Sequence, residues 1–171
     1  MKKNLLGTVL AIFLAGLYLG ACSTSGSGDP DITIDRQDAL DTNGTYTTQT
    51  RLSALEYSIF MNKQLNVFIN QLSTHMGMAY NSDNYSYDAL LPSAEQSLTS
   101  MQEAYDEVMV TYPAQGNDDE RLTALTQMST AISHMEEYIS YIKQGKDISD
   151  FSQYFENDFL ALTSTATMYN Q

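Results

Sequence analysis

Residues 122–142 read LTALTQMSTAISHMEEYISYI. Within them Leu122, Leu125, Met128, Ile132, Met135, Ile139 and Ile142 are separated by three or four residues at every step. That spacing places one apolar stripe along an α-helix, because residues three and four apart share a face. The flanks agree. Asn117 with Glu120 offers a capping box, and Asp118 and Asp119 put negative charge at the positive end of the helix dipole. Lys143 and Lys146 complement the other end, and Gly145 suits a left-handed C-cap.

The same period extends outward from this stretch. The spacing predicts a first helix over Thr48–Ala79, burying Leu52, Leu55, Ile59, Leu65, Phe68, Leu72 and His75 or Met76, with Phe60, Met61 and Ile69 widening the stripe. Asn62 and Asn66 break a strict heptad, which favours a globular bundle over a long coiled coil. A second helix follows from Leu98, Met101, Tyr105, Val108 and Tyr112, with Pro92 and Pro113 as brackets and Ser93 with Gln96 as a capping box. A last helix starts near Asp147 or Ser149 and buries Phe151, Phe155, Phe159, Leu162, Ala166 and Tyr169. Its connection to the third helix is only a few residues long, which forces the two to pack antiparallel. No β-hairpin signal or internal repeat stands out. The predicted fold is all-α: an antiparallel up-down four-helix bundle over residues 48–171, behind a flexible N-terminal tether.

The tether and what precedes it have a different composition. Residues 23–47 are rich in Ser, Thr, Gly and Asp and lack a sustained period. A flexible chain of that length spans about 25–30 Å. Before it, Lys2 and Lys3 lead into an apolar run, Leu5–Leu19, too short for a durable membrane span and laid out like a secretory signal. The run ends Leu19-Gly20-Ala21-Cys22, followed by Ser23. This tetrapeptide resembles the lipobox of bacterial prolipoproteins, and the resemblance covers residues 1–25 alone. It implies a signal peptide of residues 1–21, removed by cleavage before Cys22. It also implies a diacylglyceryl thioether and acyl chain, commonly palmitate, on Cys22, followed by a tether over residues 22–47. Each buried methylene contributes about 0.8 kcal/mol, so two or three chains anchor the protein firmly. The implied location is the extracytoplasmic face of a bacterial membrane.

Composition narrows the function. The 171 residues carry 21 acidic against 8 Lys plus Arg side chains, a net charge of −13. Loss of residues 1–21, with their two Lys, takes the mature chain to −15. Nucleic-acid binding needs a basic face, so no nucleic-acid partner is expected. A single Cys and two His exclude a disulfide scaffold and a four-ligand Cys/His zinc site. No phosphate loop, G-x-S-x-G elbow, H-E-x-x-H or paired E-x-x-H motif is present, so the chain reads as non-enzymatic, with no cofactor beyond the lipid on Cys22.

Two segments stand out as candidate sites. Tyr80, Tyr85 and Tyr87 lie among Asn, Ser and Asp in the loop between the first two helices, a composition suited to contact surfaces. The alternative is that their rings fold back over the end of the bundle. His75-Met76-Gly77-Met78 offers imidazole and thioether groups of the kind that bind monovalent copper, and His134 on the third helix could complete such a set. The alternative there is packing, since Met76 continues the first apolar stripe. The favoured expectation is a lipid-anchored binding or interaction domain that contacts another envelope protein or a ligand. The second is an exported copper-type carrier using His75, Met76, Met78 and His134.

Overall fold

The computed structural model describes residues 35–40, 46–114 and 118–170. The signal segment, Cys22 and Asn117 lie outside the described residues. All described residues fall in one unit, Ile34–Gln171. Four long helices dominate it: α1 (Ala54–Tyr80), α2 (Tyr87–Val110), α3 (Asp119–Lys143) and α4 (Phe151–Met168). Three strands join at one end: β1 (Asp35–Leu40), β2 (Tyr46–Leu52) and β3 (Thr111–Pro113).

The strands correct the sequence reading. β1 and β2 pair antiparallel from Asp35↔Arg51 to Leu40↔Tyr46, and β3 adds to β2 in parallel through Thr50↔Thr111 and Leu52↔Pro113. The predicted first helix therefore loses its first turn to β2, whose Thr47, Thr48 and Thr50 are β-branched and suit a strand. Ser53 sets the true start. Its hydroxyl accepts from the Glu56 amide at 3.4 Å, and the Glu56 carboxylate accepts from the Ser53 amide at 2.9 Å, a closed capping box.

That start fixes which face of α1 turns inward. Tyr57, Met61, Leu65, Phe68, Leu72, His75 and Ala79 are buried, while Leu55 and Ile59, expected in the stripe, are 72% and 62% exposed. Two apolar series compete over the first two turns, and the bulkier Tyr57–Met61 series occupies the seam, with Tyr57 meeting the Tyr169 ring edge-on at 6.0 Å. In α2 the N-cap is Ser86, seven residues before the expected Ser93, so Pro92 lies inside the helix and Ser93 does not cap it. Its innermost line is Leu90, Ala94, Ser97, Met101, Ala104 and Val108, with Leu98 and Tyr105 half-buried. Tyr112 belongs to β3.

The α3 stripe holds from Leu125 to Ile142, with Ile132 half-buried and Tyr138 fully buried beside it. Its first member does not hold. Leu122 is 52% exposed, and Arg121 takes the inward place at 4%. The Arg121 guanidinium donates from Nε to the Val108 and Thr111 carbonyls at 3.1 Å and from Nη2 to the Met109 carbonyl at 2.6 Å. It also pairs with Asp118 at 3.3 Å and sits 4.0 Å from the Tyr112 ring centre. The last carbonyls of a helix have no partner within it, so Arg121 closes the end of α2 and holds β3 beside it.

At the other end of α3, Gly145 adopts φ 65°, and the Lys146 amide donates to the Tyr141 carbonyl at 3.0 Å, as the sequence predicted. In α4, Phe151, Phe155, Leu162, Ala166 and Tyr169 are buried as expected, joined by Asp158 and Thr165. α1 packs against α2 and α4, α3 joins those two, and α1 touches α3 only lightly across the diagonal. The centre is filled by Met61, Phe68, Met101, Met128, Met135, Tyr138 and Phe155.

Candidate functional site

His75 turns into the centre of the helices with no exposed surface. Its Nε2 lies 2.9 Å from the Ser97 hydroxyl, and Ser97 donates onward to Gln71 Oε1 at 2.7 Å. Since the Ser97 proton is committed to Gln71, His75 Nε2 carries the hydrogen that Ser97 accepts. Nδ1 then holds a lone pair with no partner, beside Tyr138, whose buried hydroxyl also lacks one. Burial pushes the imidazole down to about 4, opposed by the Ser93 carbonyl. Met76 and Met78 pack against the core from half-buried positions. Met76 and Met78 thus have a packing account, whereas His75 is packed but keeps an unpartnered Nδ1.

His134 is held differently. Its Nδ1 lies 2.6 Å from Asp158 Oδ2, and its ring stacks on Tyr154 at 5.1 Å and 24°. Burial raises the Asp158 carboxyl above its usual range, opposed by the hydrogen bond and charge of His134. Among the described residues His134 Nε2 makes no hydrogen bond, and a His so backed by a carboxylate has the orientation of a metal ligand or base. The two histidines make separate contacts, His75 with Ser97 and His134 with Asp158. Among the described residues no group of three or more His, Cys, Asp or Glu side chains is placed to hold a metal ion.

The tyrosine loop divides. Tyr80 and Tyr85 are 53% and 44% exposed. Tyr87 opens α2, packs against the core and donates its hydroxyl to the Lys146 carbonyl at 2.6 Å. It ties the loop to the α3–α4 connection, so its ring does fold back over the end.

A groove of about 350 Å³ between α1 and α2 was not expected from the sequence. Lys63, Asn70 and Gln71 line it from α1, Ser100, Glu103 and Glu107 from α2, and Gln64, Val67 and Ala104 complete it. Gln64 is only 3% exposed, and its amide donates to Glu107 Oε2 at 2.6 Å. Each helix contributes residues three, four or seven apart, one face apiece, but nothing in the sequence shows that those two faces meet. No helix among the described residues is long and apolar enough to cross a membrane. Comparison with protein-family models, curated proteins and solved structures gives no match.

Proposed function

We propose that the chain is a lipid-anchored, extracytoplasmic bacterial lipoprotein whose helical domain binds a ligand or an envelope partner without catalysing a reaction. The observation that carries the anchor is the order of parts from Lys2 through Leu5–Leu19 to Leu19-Gly20-Ala21-Cys22. Residues 1–21 are the signal peptide in this reading, Cys22 bears the lipid, and the Ser-, Gly- and Asp-rich chain from residue 22 up to β1 is the tether. The domain is an antiparallel up-down four-helix bundle. Its side-chain pairs support that topology: Gln64–Glu107 and Gln71–Ser97 join α1 to α2, Gln102–Glu136 and Glu95–Lys143 join α2 to α3, and Gln127–Thr165 and His134–Asp158 join α3 to α4. In every pair of helices one number rises as the other falls. Asn62 donating to the Tyr169 carbonyl at 2.9 Å, with the His75 and Phe155 rings 6.5 Å apart, gives the same sense for α1 and α4.

Binding is favoured by the α1/α2 groove and by the exposed Tyr80 and Tyr85. The anchor is tested by growing cells with labelled palmitate. The wild-type chain incorporates label and loses its signal segment. Cys22→Ala does neither, since the thiol is the acceptor; equal labelling of the variant overturns the reading.

A further inference from the structure

We infer that the outward face of α1 is where two copies of the chain meet side by side on their membrane. The inference names a second copy as the envelope partner and rests on the reading of Cys22 as a lipid anchor. Two apolar series compete for the core over the first turns of α1, and the series that loses is left outside. Leu55 and Ile59 are 72% and 62% exposed, the highest values of any large apolar side chain among the described residues. The line they open continues through Asn62, Asn66, Ile69 and Ser73, in steps of four, three, four, three and four. That is the heptad spacing of a helix–helix seam, and it is separate from the line of Tyr57, Met61, Leu65, Phe68 and Leu72 that faces the core. Asn66 is exposed on it, and an Asn within such a seam lowers stability while fixing register, which suits a reversible contact.

Charge selects the occupant. Each mature chain carries −15, so two copies repel wherever their acidic faces approach. α2 holds five acidic residues and no Lys or Arg, α3 four acidic against two basic, and α4 two acidic and no basic. α1 holds one of each, Glu56 and Lys63, and its outward line contains neither. Among the described helices α1 is the one through which identical acidic chains can touch without opposing like charges. A basic partner would be drawn to α2 instead. The tether sets the orientation. β1 begins at Asp35, which pairs with Arg51 two residues before the Ser53 cap, so the chain from Cys22 joins at the start of α1. A flexible chain of about 13 residues, the distance from Cys22 to β1, spans about 20 Å. The 27-residue α1 is roughly 40 Å long. An antiparallel contact would carry one anchor to the far end of the other α1, so the two helices lie parallel, with Leu55 against Leu55 and Ile59 against Ile59 of the second copy. Anchoring confines both copies to one surface and raises their effective concentration.

The test is crosslinking of the full lipidated chain in phosphatidylcholine vesicles with a short bismaleimide. Cys22 is the sole Cys and its thiol is blocked by the lipid, so the wild type gives no crosslink. Ile59→Cys is expected to give crosslinked dimer at about ten-fold or more the yield of Leu160→Cys, a control on α4 that is 58% exposed. Adding Leu55→Glu to Ile59→Cys should lower the yield about ten-fold, because two carboxylates then face each other. The melting temperature should not move, since Leu55 already stands in solvent. Equal yields from Ile59→Cys and Leu160→Cys, or no loss on adding Leu55→Glu, overturns the proposal. So does crosslinking of Ile59→Cys only when mixed with Ile69→Cys, the mark of an antiparallel contact. Failure of the anchor reads differently. A wild-type chain that takes up no palmitate and crosslinks through Cys22 removes the anchor, and Ile59→Cys with Cys22→Ala in detergent then keeps the face by crosslinking or removes it by failing to. A palmitate-labelled chain without an Ile59→Cys crosslink keeps the anchor and removes the face.

Discussion

His75, on α1, has no exposed surface and hydrogen-bonds a neutral hydroxyl, whereas His134, on α3, keeps 27% of its side chain exposed and faces a carboxylate. Both stand on helices that pack around one core, and both use one ring nitrogen on a neighbouring helix. The difference lies in what each seam does with charge. His75 meets Ser97, Tyr138 and Phe155, none of which carries charge at neutral pH. The imidazole there is tolerated only in its neutral form. His134 instead is partly exposed and meets the Asp158 carboxylate, the charged partner that His75 lacks. One histidine is a core residue with a polar edge; the other is a polar cross-link at the rim.

The largest effect expected from that contrast is acid sensitivity. The His75 pKa is pushed down from 6.5 to about 4. Between those two values the unfolded chain binds the proton and the folded chain does not, so stability falls as pH falls. The full stabilisation is present above pH 6.5 and is lost progressively toward pH 4. The size is about 3 kcal/mol, from a shift of between two and three units at about 1.4 kcal/mol each. Urea unfolding across this window should show the slope in the wild type. His75→Gln, which retains a donor for Ser97, should remove most of it. An equal slope in the variant would show that His75 is not the group titrating.

Much of this arrangement was legible in the sequence as stripes but not as contacts. The α3 period located a helix and its core face, and Gly145 located its end, because both signals are local. The hairpin was missed for the opposite reason. β1 is mostly polar and β2 is Thr-rich, neither has alternating apolar residues, and the Asn43-Gly44 pair in the sequence has no flanking apolar pattern to support a hairpin reading. Ser97, Arg121 and Asp158 were also missed, although each falls on its helix's buried line: Ser97 between Ala94 and Met101, Arg121 four before Leu125, Asp158 between Phe155 and Leu162. A polar residue at a stripe position is the signal they share. Its partner lies on another element and has no fixed sequence offset, so the pairing itself is unreadable. Cys22 belongs to the part of the chain where an ordered motif alone carried the reading.

A smaller effect sharpens the same comparison from the side of His134. Asp158 is 8% exposed, and burial raises its pKa. Its folded form therefore holds a proton at pH values where the unfolded carboxyl has lost it, and its contribution to stability grows as pH falls through that range. This opposes the His75 slope. Asp158→Asn keeps the shape and a hydrogen-bond acceptor for His134 while removing the buried charge. Its stability at neutral pH should stay within about 1 kcal/mol of wild type, since the lost charge-assisted bond is offset by the relieved desolvation. With the opposing contribution gone, the acid loss should become steeper than in the wild type. A shallower acid slope in Asp158→Asn would assign the carboxylate the other sign.

The smallest effects lie at the tyrosine loop, where neighbouring residues repeat the contrast between core and rim. Tyr85 is 44% exposed, and among the described residues no ring or hydroxyl contact holds its side chain. Tyr87, two residues later, packs against the core and donates to the Lys146 carbonyl at 2.6 Å. Tyr87→Phe removes only the hydroxyl and should cost about 1 kcal/mol, the usual net value of one hydrogen bond. The Lys146 carbonyl is at an exposed connection, where water can replace the lost donor, which keeps the loss from growing larger. Tyr85→Ser should stay within about 0.5 kcal/mol, as surface substitutions do. Separate single variants are needed because a double replacement would mix a packing loss with a surface change. If Tyr85→Ser melts with the wild type and still weakens recovery of material that co-purifies with the intact chain, the loop is a contact surface formed by Tyr80 and Tyr85, with Tyr87 as its support. If Tyr85→Ser unfolds the chain as readily as Tyr87→Phe, both tyrosines belong to packing, and the α1/α2 groove is left as the place where this domain meets its ligand.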